Sequence, residues 1–174
     1  MMTGILLLSF LLTGCGSPEP QTGKKMSMYY INTAETKVEV HEQYLNTKTL
    51  DEQLDETMRY LSTTPEKLEY KAPLDMGFRV LDYEVEDGKL LINVDKAYSE
   101  LSPTTEVLVR AAIVRTLTQL PNVKYVGITV EDSQLYDNAG ELVGWMNADQ
   151  FINNDGNEIN TYELVKVKLY FANA

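Results

Sequence analysis

The chain has 174 residues, a hydrophobic share of 44% and a formal net charge of −11. That hydrophobic share suits a folded soluble body rather than a disordered one, and the length fits one domain once a leader is removed. So acidic a body repels nucleic-acid backbones and anionic headgroups, which argues against nucleic acid as a partner.

The apolar run from Ile5 to Leu12 has the length of a signal-peptide core and is too short to span a bilayer. Leu12-Thr13-Gly14-Cys15 closes it and resembles the lipobox of bacterial lipoproteins, in which the cysteine is diacylated and the chain is cut just before it. Residues 1–14 therefore read as a lipoprotein signal peptide, with Cys15 as the lipidation site and first mature residue. The opening Met1-Met2-Thr3-Gly4 departs from the usual pattern, since it carries no Lys or Arg. The competing reading makes Cys15 a plain free thiol; the immediate switch to a polar segment favours lipidation. Cys15 is the only cysteine, so no disulfide forms within the chain. One fatty chain holds a protein only marginally and two hold it stably, so a diacylated Cys15 implies residence on the extracytoplasmic face of a membrane. Residues 15–25, which include GSPEPQTGKK, form a polar tether without the apolar content to order itself.

Structure is expected from Met26. Met26, Met28 and Tyr30 alternate with Ser27 and Tyr29 as in a strand. After a turn at Thr33–Thr36, a second strand over 37–44 places Val38 and Val40 on a buried face and Lys37, Glu39 and His41 on the other. Thr49 with Glu52 makes a capping box for a helix that ends near Ser62. Its first two turns carry Asp51, Glu52, Asp55 and Glu56, where negative charge complements the helix dipole.

Asp87-Gly88 specifies a two-residue hairpin turn between Phe78 and Val94. It predicts the pairs Val85–Leu90, Tyr83–Ile92 and Leu81–Val94 on one face, with Glu84–Leu91, Asp82–Asn93 and Glu86–Lys89 on the other. Ser102-Pro103 then opens a helix running to about Gln119. Val107, Val109, Ala111, Ile113, Val114, Leu117 and Leu120 cover so wide an arc that this helix should be central. Arg110 interrupts the arc and Arg115 lies on the polar side. A strand follows over 123–131, with Val126, Ile128 and Val130 on one face. Residues 135–152 are mixed, with a turn at Asp137–Gly140 and one helical turn near Asn147. Asn153–Asn160 reads as a loop, and Leu164–Phe171 alternates as a strand.

The order of these elements, together with Tyr29-Tyr30-Ile31-Asn32, Val85-Glu86-Asp87-Gly88-Lys89-Leu90-Leu91-Ile92-Asn93-Val94-Asp95 and Val126-Gly127-Ile128-Thr129-Val130-Glu131, resembles the GerMN domain family of spore-forming bacteria. The resemblance implies an α+β fold like that of ring-building motifs: a small mixed or antiparallel sheet with two main helices packed on one face. It implies exported proteins and lipoproteins acting in sporulation or germination, and it brings no established catalytic residues. Residues 26–160 make up the GerMN-like domain. Residues 161–174 either start a second copy, since Leu169-Tyr170-Phe171-Ala172-Asn173 is similar to Met28-Tyr29-Tyr30-Ile31-Asn32, or supply a closing strand of the single domain.

Chemistry-bearing motifs are few. His41 is the only histidine and sits on a solvated strand face, with no second histidine or cysteine to make a zinc site. In Asn153-Asn154-Asp155-Gly156-Asn157-Glu158, alignment on Gly156 places Phe151 and Tyr162 where an EF-hand needs carboxylates, so the calcium pattern fails. The cluster Asp51, Glu52, Asp55, Glu56 reads as a solvated helix face, with weak divalent-ion binding as the alternative. There are 11 tyrosines, and Tyr29, Tyr44, Tyr60, Tyr70, Tyr98 and Tyr136 are the candidates for partial exposure. Either strand propensity or a binding surface accounts for them. The expectation is a non-enzymatic assembly or interaction protein, without catalytic, metal or cofactor site. It is held to the membrane through Cys15 and docks a protein partner or further copies. The alternative is a cell-wall glycan or peptide binding module using the tyrosines and the stretch around Trp145.

Overall fold

In the computed structural model, residues 23–65 and 69–151 are described. Cys15, the tether before residue 23, the 153–160 loop and the 164–171 strand lie outside the described residues.

Strand β1 (Lys24–Asn32) buries Met26, Met28 and Tyr30, as its alternation requires. It pairs antiparallel with β2 (Val38–Leu45) from Lys24↔Leu45 to Ile31↔Val38. Lys24 and Lys25, read from sequence as the end of the tether, are thus already strand. Lys24 Nζ donates to the Gln119 carbonyl at 3.2 Å, and Lys25 pairs with Glu42 at 2.6 Å. The expected burial of Val40 does not hold: it is 53% exposed. The register places Val40 opposite Tyr29, whereas the core side of the sheet is the one shared by Met28 and His41. A short β3 (Tyr70–Lys71) joins the end of β1, giving the order β2-β1-β3.

Helix α1 (Leu50–Leu61) starts at the capping box read from the sequence, with both the Thr49 and Glu52 bonds present. It lies against the inner side of β1, where the Thr57 hydroxyl stands 3.9 Å from the Met26 sulfur.

The second sheet has the order β4-β5-β6-β7, with β4 (Val80–Glu86), β5 (Lys89–Val94), β6 (Tyr125–Val130) and β7 (Ser133–Gln134). Asp87 and Gly88 turn the β4–β5 hairpin at positive φ, 49° and 80°, as an Asp-Gly hairpin turn requires. The predicted register holds from Glu86↔Lys89 to Asp82↔Asn93. Beyond that a β-bulge intervenes, so Val80 rather than Leu81 faces Val94 and Leu81 is left exposed. The extra residue rotates the strand and exchanges its faces.

β6 pairs parallel with β5. A parallel pair needs a crossover, and helix α2 (Pro103–Leu117), capped by Ser102, provides it. α2 buries Val109, Ala111, Ala112, Ile113, Val114 and Leu117. Val107, expected in the buried arc, is 44% exposed: Thr105 and Val109 on either side of it are buried, so Val107 lies on the side of the helix turned from the core.

The α+β class with two main helices is as read, and the strands divide between one antiparallel and one mixed sheet. α2 joins them through polar bonds to the edge of β1. Gln119 Nε2 donates to the Ser27 carbonyl at 2.7 Å, and the Ser27 N–H donates to Gln119 Oε1 at 3.0 Å. The Tyr29 N–H donates to Thr116 Oγ1 at 3.0 Å. The Gln119 amide thus takes the place of a neighbouring strand's peptide. Backbone groups of a half-buried strand need such partners.

Candidate functional site

The outer face of the mixed sheet carries two adjoining hollows. Parallel pairing places Leu91 beside Gly127 and Asn93 beside Thr129 on that face. The chain after β7 folds back as a small hairpin: the Val143 N–H donates to the Leu135 carbonyl at 3.0 Å, and Asp137 Oδ1 accepts from the N–H groups of Ala139 and Glu141 at 2.9 Å. Met146 and Val126 then exchange two backbone bonds of 2.8 Å, which fixes the segment along the edge of β6. Trp145 consequently lies over Gly127. A Cβ there would stand 2.8 Å from the indole Cζ3, so only glycine admits the ring this close.

Trp145, 42% exposed, separates two hollows. One, of about 200 Å³, is walled by Leu91, Ile128, Leu135 and Leu142 and is mainly apolar. The other, of about 210 Å³, is lined by Glu84, Glu86 and Lys89 together with the same ring. Lys89 Nζ is 5.4 Å from the indole centroid, within cation–π range. An exposed indole flanked by an apolar hollow and by charges of both signs can stack a flat or ring-shaped group and bond its polar rim. The face was legible only in outline. From the sequence it is legible as the stretch around Trp145, and Gly127, Leu91 and Lys89 stand only in the family-like segments, with no site role attached. A glycine in the middle of a strand that otherwise runs Tyr125-Val126…Ile128-Thr129-Val130 is the available signal.

Beside this face, Asn93 is 4% exposed and fully partnered. Its amide donates to Asp82 at 3.1 Å and Asp132 at 2.8 Å, and its carbonyl oxygen accepts from the Asp132 N–H at 3.0 Å. These bonds hold the β6–β7 turn, in which Glu131 and Asp132 both adopt positive φ.

The profile of the Germane family, described as sporulation and spore germination, matches residues 27–136, more than half of the chain. The chain belongs to the Germane family. Two solved structures share its fold. The tandem GerMN domains of the sporulation protein GerM from Bacillus subtilis superpose with a TM-score of 0.52 at 18% identity, over 78% of this chain and 49% of that one. The first GerMN domain of the same protein gives a TM-score of 0.52 at 15% identity, over 68% of this chain and 92% of that one. The chain thus spans about half the length of the tandem structure. No curated protein sequence matches significantly.

Within this Germane domain, the other sequence-derived candidates are spread rather than gathered. His41 is exposed on β2, with its ring edge-on to Tyr30 at 6.5 Å. Among the acidic residues of α1, Glu52 closes the capping box, and Glu56 accepts from the N–H groups of Asn46 and Thr47 and from the Thr47 hydroxyl. Asp55 accepts from the Tyr83 phenol at 2.7 Å; burial, then that carboxylate, pushes the Tyr83 phenol up to about 12. Tyr29, Tyr44, Tyr60 and Tyr70 are half-buried and Tyr136 is exposed, as expected. Tyr98 is not: at 1% exposure it packs edge-on against Phe78 and donates to Glu106 Oε1 at 3.0 Å. Glu106 also pairs with Arg110, with 2.6 Å between Nε and Oε1, which explains the arginine that interrupts the α2 arc.

Proposed function

We propose that this Germane protein is a lipid-anchored, non-enzymatic interaction protein of the extracytoplasmic membrane face, acting in sporulation or spore germination. Membership of the family supports the process, and Leu12-Thr13-Gly14-Cys15 ahead of a polar tether carries the anchor. Attachment at Cys15 raises the effective concentration of the domain toward partners on the same membrane. The non-enzymatic reading is supported by the structural duties of the carboxylates: Glu35 ties a turn, Glu52 and Glu56 cap, Asp95 holds Arg79, and Glu106 binds Tyr98 and Arg110. Replacing Cys15 with Ala should move the protein from the membrane fraction to the soluble one. A variant that still sediments with membrane after a carbonate wash overturns the anchor.

One observation favours a second reading, a wall-glycan or peptide binding module: Trp145 is an exposed stacking platform with Lys89 beside it. Retention on purified sacculi that is lost in Trp145→Ala would establish it. No retention, with recovery of membrane proteins in a pull-down, returns the case to assembly.

A further inference from the structure

The mixed sheet ends on an edge of one charge sign. β4 is its outermost strand, and Asp82, Glu84 and Glu86 share the outer face while Tyr83 and Val85 turn to the inner one. Glu84 and Glu86 are exposed and form no ion pair among the described residues. Tyr83 and Val85 are only half-buried, so the inner side of β4 also has apolar surface left to cover. Edge strands are commonly blunted by charged side chains, proline, a bulge or a covering element. β4 carries charges of one sign only, has no lysine or proline, and its bulge at Leu81 leaves 83–86 regular, so its acidic face repels like strands and admits a basic one.

The same chain carries a segment of matching pattern. In Leu164-Val165-Lys166-Val167-Lys168-Leu169-Tyr170-Phe171, two lysines alternate with Val165, Val167, Leu169 and Phe171. The linker between Phe151 and Leu164 has 12 residues and reaches at most about 40 Å when extended. That exceeds the diameter of about 35 Å expected for a domain of this size. The indole of Trp145 shares a hollow with Glu84 and Glu86, while the backbone beside it at Met146 runs along β6, across β5 from β4 and well within the reach of that linker.

We propose that residues 164–171 add to the free edge of β4 as a further strand of the mixed sheet, with Lys166 and Lys168 opposite Glu84 and Glu86. Both residue pairs are spaced by two, so either strand direction brings the lysines across from the glutamates. The apolar set then falls on the inner face beside Tyr83 and Val85. The other long edge, β2, fits less well: its Glu39 and Glu42 are already paired with Lys37 and Lys25 at 2.6 Å. This assignment stands apart from the anchoring reading, since a soluble chain would make the same contact.

Cross-linking in the full chain tests it, with Cys15→Ser so that only the engineered thiols react. Glu84→Cys combined with Lys166→Cys or Lys168→Cys should form an intrachain disulfide under mild oxidation. It should form at least about tenfold faster than the control pair Val40→Cys with Lys168→Cys, because directly opposed cross-strand positions hold their Cβ atoms within bonding reach. Equal rates overturn the proposal, and so do disulfides found only between chains, which would make the occupant a second copy. Charge exchange gives a second test that leaves the core intact. Lys166→Glu with Lys168→Glu should speed amide exchange along β4 up to about tenfold, and adding Glu84→Lys with Glu86→Lys should restore it. Unchanged exchange in the first variant, or no recovery in the second, overturns the assignment.

Discussion

At Gly127 the absence of one carbon atom decides where the only tryptophan sits. The indole of Trp145 occupies the space a Cβ would need, with Cζ3 and Cε3 at 2.8 and 2.9 Å from its ideal position and Leu91 Cδ1 at 3.2 Å. Gly127→Ala cannot be absorbed by the strand backbone, which is paired on both sides by Leu91 and by the Val126–Met146 bridge. The ring must lift. Forcing a methyl into a packed site costs about 1–3 kcal/mol. With Trp145 the sole tryptophan, its emission should shift to the red and become more open to quenching by acrylamide. Unaltered emission would mean that the ring does not rest on the glycine.

Among the elements, those with a local code were legible in the sequence and those built by tertiary pressure were not. The Thr49–Glu52 box and the Ser102-Pro103 start fixed both helix beginnings, because caps satisfy orphan N–H groups within one turn of chain. Asp87-Gly88 fixed the hairpin register for the same reason. The bulge at Leu81, the two-residue strands β3 and β7, and the exposure of Val40 and Val107 depend on what lies across the fold. Nothing in their neighbouring residues encodes it. The turn between β1 and β2 belongs to this second kind. Its Glu35, at φ 52°, pairs with Lys71 of β3 and accepts from the Thr105 hydroxyl of α2 at 2.5 Å. The Lys71 bond first, then that of Thr105, holds the Glu35 carboxyl below its usual range. A depressed carboxylate adds stability that is complete above the unfolded value of 4.5 and fades as pH falls through the lower folded one. Glu35→Gln should therefore be less stable than the parent at neutral pH by up to about 1 kcal/mol, the range of a partly exposed pair. The gap should narrow progressively in urea melts below about pH 4.5. A gap independent of pH would remove the charge from the explanation.

For the molecule as a whole, the α+β class and the family were readable because element order survives where single residues drift. The face around Trp145 was only sketched, because it is assembled from β5, β6 and a late hairpin far apart in sequence. What makes two sheets into one body is α2, whose crossover joins β5 to β6 and whose Thr116, with Gln119 just past its end, bonds the edge of β1. The two sheets should then melt together, as one cooperative unit. Gln119→Ala tests this because it strips the Ser27 N–H and carbonyl of their partners while touching nothing in the mixed sheet's face. Losing such bonds at a half-buried strand costs about 0.5–1.5 kcal/mol each. Denaturation followed by Trp145 fluorescence reports on the mixed sheet, and far-ultraviolet circular dichroism reports on both. In the variant both midpoints should fall by the same amount and remain coincident. If the tryptophan midpoint stayed put while the dichroism transition split, the sheets would be separate units, and α2 would be a connector rather than the element that couples them.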